Sequence, residues 1–322
     1  MTHWLLIKGK AGLGNRLLST LCGIAFGRMA GRRIVVDWRD DAYAAPGVNA
    51  FHRLFQSPVV EESWPFDPTV ASVAPAIWRS HLDWTVSRMI GTFDPHRFKD
   101  PTVYRTYCCD LSTLRQAEDV LVYWSYLPKF RRIRRHFAGE LAAAKRLPDH
   151  ALIRSLMDRY VALQPHIAAE IDAFAAARFC GPMIGVHVRQ SDRSTPLARL
   201  RKDVATLLAR APSATIFLAT DNLAIQRQFE QSYPNVVVTD KWLPAPGEAV
   251  HYNRADADPE RSAIEALKDI YLLSRCDYLV YPRGSTFSYL ARCLGGFADG
   301  NVIDVERHAP IVLAKRAIHS WI

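Results

Sequence analysis

The chain lacks the cysteine patterns that mark a metal centre or a disulfide scaffold. Its cysteines, Cys22, Cys108, Cys109, Cys180, Cys276 and Cys293, include no C-x-x-C pair and no Cys/His cluster, and adjacent Cys108 and Cys109 make a poor clip. Free, mostly buried thiols in a reducing compartment are expected instead. Long apolar runs are missing too. The opening stretch is too short for a secretion signal or a membrane span, and it leads straight into a glycine loop, so a cytoplasmic location is expected. Low-complexity segments and fixed-period repeats are absent, which argues against collagenous, disordered and solenoid architectures. The amino-terminal glycines carry neither the dinucleotide G-x-G-x-x-G fingerprint with its downstream acid nor the Gly-Lys-Ser/Thr of a P-loop.

What is present is a globular composition with excess positive charge. Of 322 residues, 49% are hydrophobic, and the formal net charge is +9. That length suits two domains, each able to bury a core. The charge favours anionic partners: a nucleotide-sugar, an acidic glycan, nucleic acid or a membrane surface. The densest cluster is Lys129-Phe130-Arg131-Arg132-Ile133-Arg134-Arg135-His136. At helical spacing Arg131, Arg132 and Arg135 share one face, either solvated or docking an anionic acceptor or lipid headgroups. Nucleic acid is the weakest reading, because no recognition motif accompanies the charge.

Hydrophobic patterning predicts an α/β fold. Residues 4–7 read as a strand, 9–16 as a glycine loop, 17–31 as a helix and 33–38 as a strand, a βαβ start that implies a parallel sheet. Residues 40–120 are irregular, with helices near 77–90 and 112–118, followed by a strand at 120–124. Helices are predicted over 128–145 and 150–177. A junction near 177–182 separates a first domain, 1–177, from a second, 178–322. In the second, strands at 183–188, 214–221, 236–238, 278–281 and 301–305 alternate with helices near 197–210, 222–232, 261–274 and from Tyr289. Two Rossmann-like domains facing a central cleft are therefore expected.

Three segments could carry chemistry. The first is Gly9-Lys10-Ala11-Gly12-Leu13-Gly14-Asn15-Arg16, which either presents backbone N–H groups to an anion or only makes a tight turn. The second, Gly185-Val186-His187-Val188-Arg189-Gln190-Ser191-Asp192, puts His187, Arg189 and Asp192 at the exit of a buried strand, where open α/β sheets bind ligands. A forked guanidinium there suits phosphate, because it grips two oxygens at once; a salt bridge at the strand end is the plainer alternative. Asp192 either holds Arg189 or receives a proton. The third is Asp277 with Arg283-Gly284-Ser285-Thr286-Phe287-Ser288, whose hydroxyls and amides cap the next helix or grip a phosphate. Asp277 is either a surface ion-pair partner or a match for the N1–H and N2–H donors of guanine.

Taken in order, four pieces resemble the superfamily of fucosyltransferases that use GDP-fucose, which have a GT-B-like fold. They are Gly12-Leu13-Gly14-Asn15-Arg16, His187-Val188-Arg189-Gln190-Ser191-Asp192, Ala219-Thr220-Asp221, and Leu273-Ser274-Arg275-Cys276-Asp277 leading to Ser285-Thr286-Phe287-Ser288. Gly31-Arg32-Arg33-Ile34-Val35-Val36-Asp37-Trp38-Arg39, with Asn49-Ala50-Phe51 beyond it, looks like the amino-terminal region of the rhizobial nodulation fucosyltransferases, which decorate chitin-oligomer signals. The likeness covers both ends of the chain and is patchy from 60 to 175. It implies that the first domain lies on the acceptor side and that the second binds the GDP-sugar. By position, it implies that Arg189 binds the β-phosphate and stabilises charge as GDP leaves. His187 would sit against the nucleotide, Asp277 would read guanine, and Asp221 would belong to the donor site. Ser285, Thr286 and Phe287 would hold the diphosphate, largely through amides. Gly14 and Asn15 would let the first loop approach the sugar-diphosphate. The likeness also implies inversion at the anomeric carbon and no metal or cofactor, GDP-fucose being the donor substrate.

One departure matters. Enzymes of this superfamily that core-fucosylate N-glycans place a glutamate, proposed as the base, a few residues after H-x-R, whereas this chain reads Arg193-Ser194-Thr195-Pro196-Leu197 there. Asp192 is the leading base candidate, with Asp221 and Asp40 behind it, and a dissociative reaction needs little base help. The expected function is an inverting, metal-independent transfer of fucose from GDP-fucose to an oligosaccharide. The alternatives are a transferase for another GDP-sugar and a non-catalytic glycan-binding protein of the same fold. Peripheral contact with the inner membrane face stays open, as does the acceptor: chitin oligomers, lipopolysaccharide or capsule repeats. Trp64, Trp78, Trp84 and Trp124 could stack on sugar rings, although core packing is the plainer role for most of them.

Overall fold

The computed structural model describes residues 3–67, 72–100, 102–190, 195–241, 258–298, 300–310 and 314. It divides the chain into two units after Ala162. Each unit is built on a five-stranded sheet whose pairings are all parallel. The α/β class and the pair of Rossmann-like sheets are those expected.

The first sheet contains β1 (Trp4–Lys8), β2 (Arg33–Asp37), β3 (Val60–Glu61), β4 (Val73–Ala74) and β5 (Val120–Tyr123), in the order β3-β2-β1-β5-β4. Leu5, Leu6, Ile7 and Leu121, Val122, Tyr123 are buried without alternation, as strands covered on both faces must be. Helix α1 (Leu13–Met29) lies close against this sheet. A Cβ at Gly23 would come within 2.8 Å of Ile7 and Tyr123, and one at Gly27 within 2.9 Å of Ile34 and Leu5, so these glycines permit the close approach. Helix α1 starts four residues ahead of the expected 17–31. Gly12 is extended (φ −66°, ψ 159°) as its N-cap, and Arg16 N–H already donates to the Gly12 carbonyl at 3.1 Å.

The middle of the chain departs most from the sequence patterns. A 3-10 turn at Ala76–Trp78 and a helix α2 (Val86–Phe93) replace the helix near 77–90. No helix forms over 112–118; Asp110 accepts from the Ser112 amide at 2.8 Å, and the Gln116 side chain bonds back to Asp110. Such local side-chain bonds compete with helix formation. The basic run is not a helical face either. Only Phe130–Ile133 is α-helical, followed by a 3-10 turn at Arg134–His136. Its cations turn to nearby acceptors: Arg132 to the Tyr104 hydroxyl (3.0 Å), Arg134 to the Leu147 carbonyl and Asp149, Arg135 to the Ser112 carbonyl (2.8 Å). Lys129 is buried over the Tyr104 ring. The helix expected over 150–177 is two, α3 (Asp149–Tyr160) and α4 (Pro165–Arg178). Pro165 has no N–H and disfavours helical geometry in Gln164, so the chain breaks there and restarts. The division at Ala162 thus falls ahead of the expected junction near 177–182. Helix α4 belongs to the second unit, tied to it by Asp172–Arg275 (2.5 Å) and Glu170–Arg261 (2.9 Å).

The second sheet contains β6 (Met183–Val188), β7 (Thr215–Thr220), β8 (Val236–Val237), β9 (Tyr278–Tyr281) and β10 (Val302–Asp304), in the order β8-β7-β6-β9-β10. Helices α5 (Leu197–Arg210), α6 (Leu223–Ser232), α7 (Pro259–Ser274) and α8 (Thr286–Leu294) alternate with the strands. Ile184, Val186 and Val188 face a core shared with Leu200, Val204 and Leu207 of α5 and Phe229 of α6. The alternate residues face the other way. Gly185 lets α7 close in, since a Cβ there would lie 3.1 Å from Cys276 Sγ and 3.2 Å from Leu273. His187 shares that face. The cysteines are free, all buried except Cys180. No helix among the described residues is long and apolar enough to cross a membrane.

Candidate functional site

Strand order locates the site. Winding runs outward from β6 to β7 and β8 on one side and from β9 to β10 on the other, so it reverses between β6 and β9. Ligands of open α/β sheets bind beyond the carboxyl ends of the strands at such a reversal. Here β6 delivers His187, Val188 and Arg189, while β9 delivers Pro282 to Ser285 and the start of α8.

His187 and α8 meet across this point. The imidazole stacks on the Phe287 ring (centroids 5.0 Å apart, 23° between planes), and its Nδ1 lies 2.9 Å from Ser288 Oγ. Burial, and then the nearby charges of Arg189 and Lys241, push the imidazole pKa down to about 3. His187 is therefore a neutral hydrogen-bonding group at physiological pH.

The backbone of Arg189 is clamped. Its N–H donates to Thr195 Oγ1 (3.0 Å), and its carbonyl accepts from both the Thr195 amide (3.0 Å) and hydroxyl (2.9 Å). The next amide, Gln190 N–H, donates to Asp221 Oδ1 at 2.8 Å. Asp221 thus braces the strand exit from the end of β7. Asp192 lies outside the described residues.

Ser285 is the N-cap of α8, yet its hydroxyl makes no capping bond. Its Oγ is buried and has no partner among the described residues. The N–H groups of Phe287 and Ser288 lie in the first turn, where no intrahelical carbonyl is available, so this end carries partial positive charge. Helix α8 begins three residues ahead of the expected Tyr289, which places Thr286 and Phe287 in that first turn. The preceding amides are already taken: Arg283 N–H donates to Asp304 (3.1 Å) and Gly284 N–H to Glu306. An unpaired buried hydroxyl, open helix amides and a clamped arginine on one side of a sheet make an anion site suited to a diphosphate.

Asp277 does not join this group. Its Oδ2 accepts from the Met183 amide at 2.8 Å, its own N–H donates to the Met183 carbonyl at 3.0 Å, and its carbonyl accepts from Asn301 Nδ2 at 3.0 Å. These bonds fasten the amino ends of β6 and β9, at the edge of the sheet away from Arg189. A carboxylate that sequence reasoning missed lies nearer. Asp269 of α7 is buried, accepts from Thr239 Oγ1 at 2.6 Å and pairs with Lys241, the lysine whose charge reaches His187. Its signal in the sequence is an acid inside the apolar stripe Ile264, Leu267, Ile270, Leu273.

The remaining candidates belong to the first unit. Gly14 is buried within α1, and Asn15 Nδ2 donates to the Tyr126 carbonyl at 2.9 Å, so Asn15 ties two segments together. Asp40 pairs with Arg16 at 2.5 Å. Among the described residues no group of three or more His, Cys, Asp or Glu stands in position to hold a metal ion. The sequence does contain one D-x-D triplet, Asp256-Ala257-Asp258. Its first two residues lie outside the described ones, and Asp258 caps α7, accepting from the Glu260 amide at 2.9 Å.

A family model described as nodulation protein Z matches residues 142–316 of the chain. Nodulation protein Z of Azorhizobium caulinodans strain ORS 571 is 26% identical over 312 residues, covering 87% of this chain and 85% of the relative. That of Bradyrhizobium diazoefficiens strain USDA 110 is 25% identical over 303 residues, covering 88% and 76%. Among solved structures, a NodZ alpha-1,6-fucosyltransferase soaked with GDP-fucose superposes with a TM-score of 0.63 at 23% identity, covering 92% of this chain and 93% of that one. The fold class is GT-B-like, as the sequence pieces implied.

Proposed function

Because the chain belongs to the nodulation protein Z family, we propose that it is a fucosyltransferase that moves fucose from GDP-fucose to an oligosaccharide, inverting the anomeric carbon and needing no divalent ion. The observation that carries this reading is the anion site at the β6/β9 reversal, with clamped Arg189 on one side and unpaired Ser285 Oγ on the other.

In the reaction the bond from fucose C1 to the β-phosphate oxygen breaks, and an acceptor hydroxyl oxygen bonds to C1 from the opposite face. The hydroxyl proton goes to a carboxylate or to water, and negative charge grows on the departing GDP. The Arg189 guanidinium and the first-turn amides of α8 meet that charge, in the role a divalent ion has in other transferases. His187 orders the nucleotide side by stacking and hydrogen bonding. With a pKa of about 3 it carries no proton for transfer at neutral pH. Asp192 remains the leading base by position, with Asp221 and Asp40 each already holding a partner. Guanine recognition passes from Asp277 to Asp269, whose carboxylate oxygens keep lone pairs for N1–H and N2–H donors.

The deciding experiment is calorimetric titration with GDP in EDTA, against ADP and UDP, followed by turnover of GDP-fucose and GDP-mannose with an acceptor panel. Selective GDP binding and EDTA-resistant fucose transfer support the proposal. No GDP binding would remove the donor site, and activity restored by a divalent ion would overturn metal independence.

A further inference from the structure

The first unit has a cluster of its own that the donor site does not use. In the order β3-β2-β1-β5-β4 the neighbours β1 and β5 send their carboxyl ends into Gly9-Lys10 and Trp124-Ser125-Tyr126. The Asn15 bond to the Tyr126 carbonyl joins these two exits. Lys10 stands between them, partly buried, with Nζ 4.4 Å from the Phe98 ring centroid, 5.7 Å from Tyr126 and 6.0 Å from Trp124. The following residue, Ala11, is held in the left-handed region (φ 71°), its carbonyl accepting from Arg16 Nε at 2.8 Å. An alanine is strained in that conformation, so the loop is fixed against its own preference.

Charge pairing at this end of the sheet is uneven. Lys8 pairs with Asp37 at 2.6 Å, Arg39 with Asp37 at 2.8 Å, and Arg16 with Asp40 at 2.5 Å. Lys10 has no carboxylate partner among the described residues, and burial followed by the charge of Arg16 lowers its pKa, with Asp40 opposing. Beside it Trp124 Nε1 is buried without an acceptor among the described residues. Phe98 and Tyr126 each leave 40% of their surface exposed. A bare anion would use the ammonium and leave the rings idle. A neutral sugar would use the rings and leave a half-desolvated cation unmatched. A sugar that carries an acid group uses both: its C–H face lies on an aromatic ring, its acid pairs with Lys10, and its oxygens accept from Trp124.

We propose that this cluster at the carboxyl ends of β1 and β5 is the acceptor subsite and that it takes an acidic oligosaccharide, with the acid on Lys10 and a sugar ring against Phe98 or Tyr126. The acceptor role rests on the fucosyltransferase reading; the ligand chemistry does not.

The test titrates the full chain with trigalacturonate and a hyaluronan tetrasaccharide as acidic probes, triacetylchitotriose as neutral probe and tripolyphosphate as bare anion. GDP is titrated in parallel to report on the second unit. The wild type should bind an acidic oligosaccharide more tightly than either control. Lys10→Gln should weaken that binding about tenfold or more, the loss expected for one charge-assisted contact. Tyr126→Leu and Phe98→Leu, which keep Lys10, should weaken it as well. Failure to bind either acidic probe, equal binding of chitotriose or tripolyphosphate, or an unchanged Lys10→Gln variant with GDP binding intact would each overturn the proposal. Acidic-sugar binding without GDP binding would support this site while sinking the donor reading.

Discussion

Thr195 grips both backbone groups of Arg189, and Asp221 holds the next amide, so the guanidinium stands on a fixed stem. Arg189→Ala leaves those backbone bonds in place. It should fold normally and lose about 100-fold or more in fucose transfer; near-normal turnover in a coupled GDP-release assay would remove Arg189 from the reaction. His187 makes a separate prediction. Its folded pKa of about 3 lies below the ordinary 6.5, so as pH falls through that window the unfolded chain takes up a proton that the native state refuses. Stability is lost toward acid at up to about 1.4 kcal/mol per pH unit from this group. His187→Gln should flatten that slope in urea unfolding between pH 6.5 and 3, and an identical slope would count against the buried neutral imidazole. At this scale His187, Arg189 and Asp221 were legible, because each leaves a strand at its carboxyl end. Asp277 precedes its strand, which in a parallel sheet already places it at the other end; the family likeness pointed elsewhere, and the geometry follows the sheet. Asp269 was hidden because its helical stripe reads as core.

Two helices start earlier than their sequences suggest, and both do so beside a candidate site. Glycines and serines look like loop, yet Gly12 and Ser285 are N-caps, and the residues after them form the first turns of α1 and α8. The caps differ in kind. Asn222 caps α6 by accepting from the Ile225 amide at 3.1 Å, whereas the Ser285 hydroxyl caps nothing. Asn222→Ala should therefore cost about 1 kcal/mol of stability. Ser285→Ala should leave the unfolding midpoint nearly unchanged and weaken GDP about tenfold, the loss of one hydrogen bond to a charged group. Equal stability losses in the two variants would place Ser285 among ordinary caps. Longer strands and helices of the second unit were readable from apolar runs and alternation. The stretch from 112 to 146 was not, because Asp110, Arg132, Arg134 and Arg135 act through bonds to distant or local backbone that periodicity does not reveal.

At the scale of the whole molecule, the two sheets predict where a nucleotide is felt. GDP should slow amide hydrogen exchange at 187–190 and 286–288, on the carboxyl side of the second sheet. Amides at 181–183 and 276–278 should respond little. Protection centred on Asp277 instead would reverse the assignment of the two ends.

The bonds that Asp277 makes to Met183 and Asn301 have a further consequence. A substitution there loosens the start of a parallel sheet whose strands are far apart in the chain, and so shifts the balance between folded protein and proteolysis in the cell. A genetic screen would score it as a null allele. Purified and normalised to the amount of folded chain, the same variant should turn over substrate like its parent, a defect of abundance rather than of chemistry.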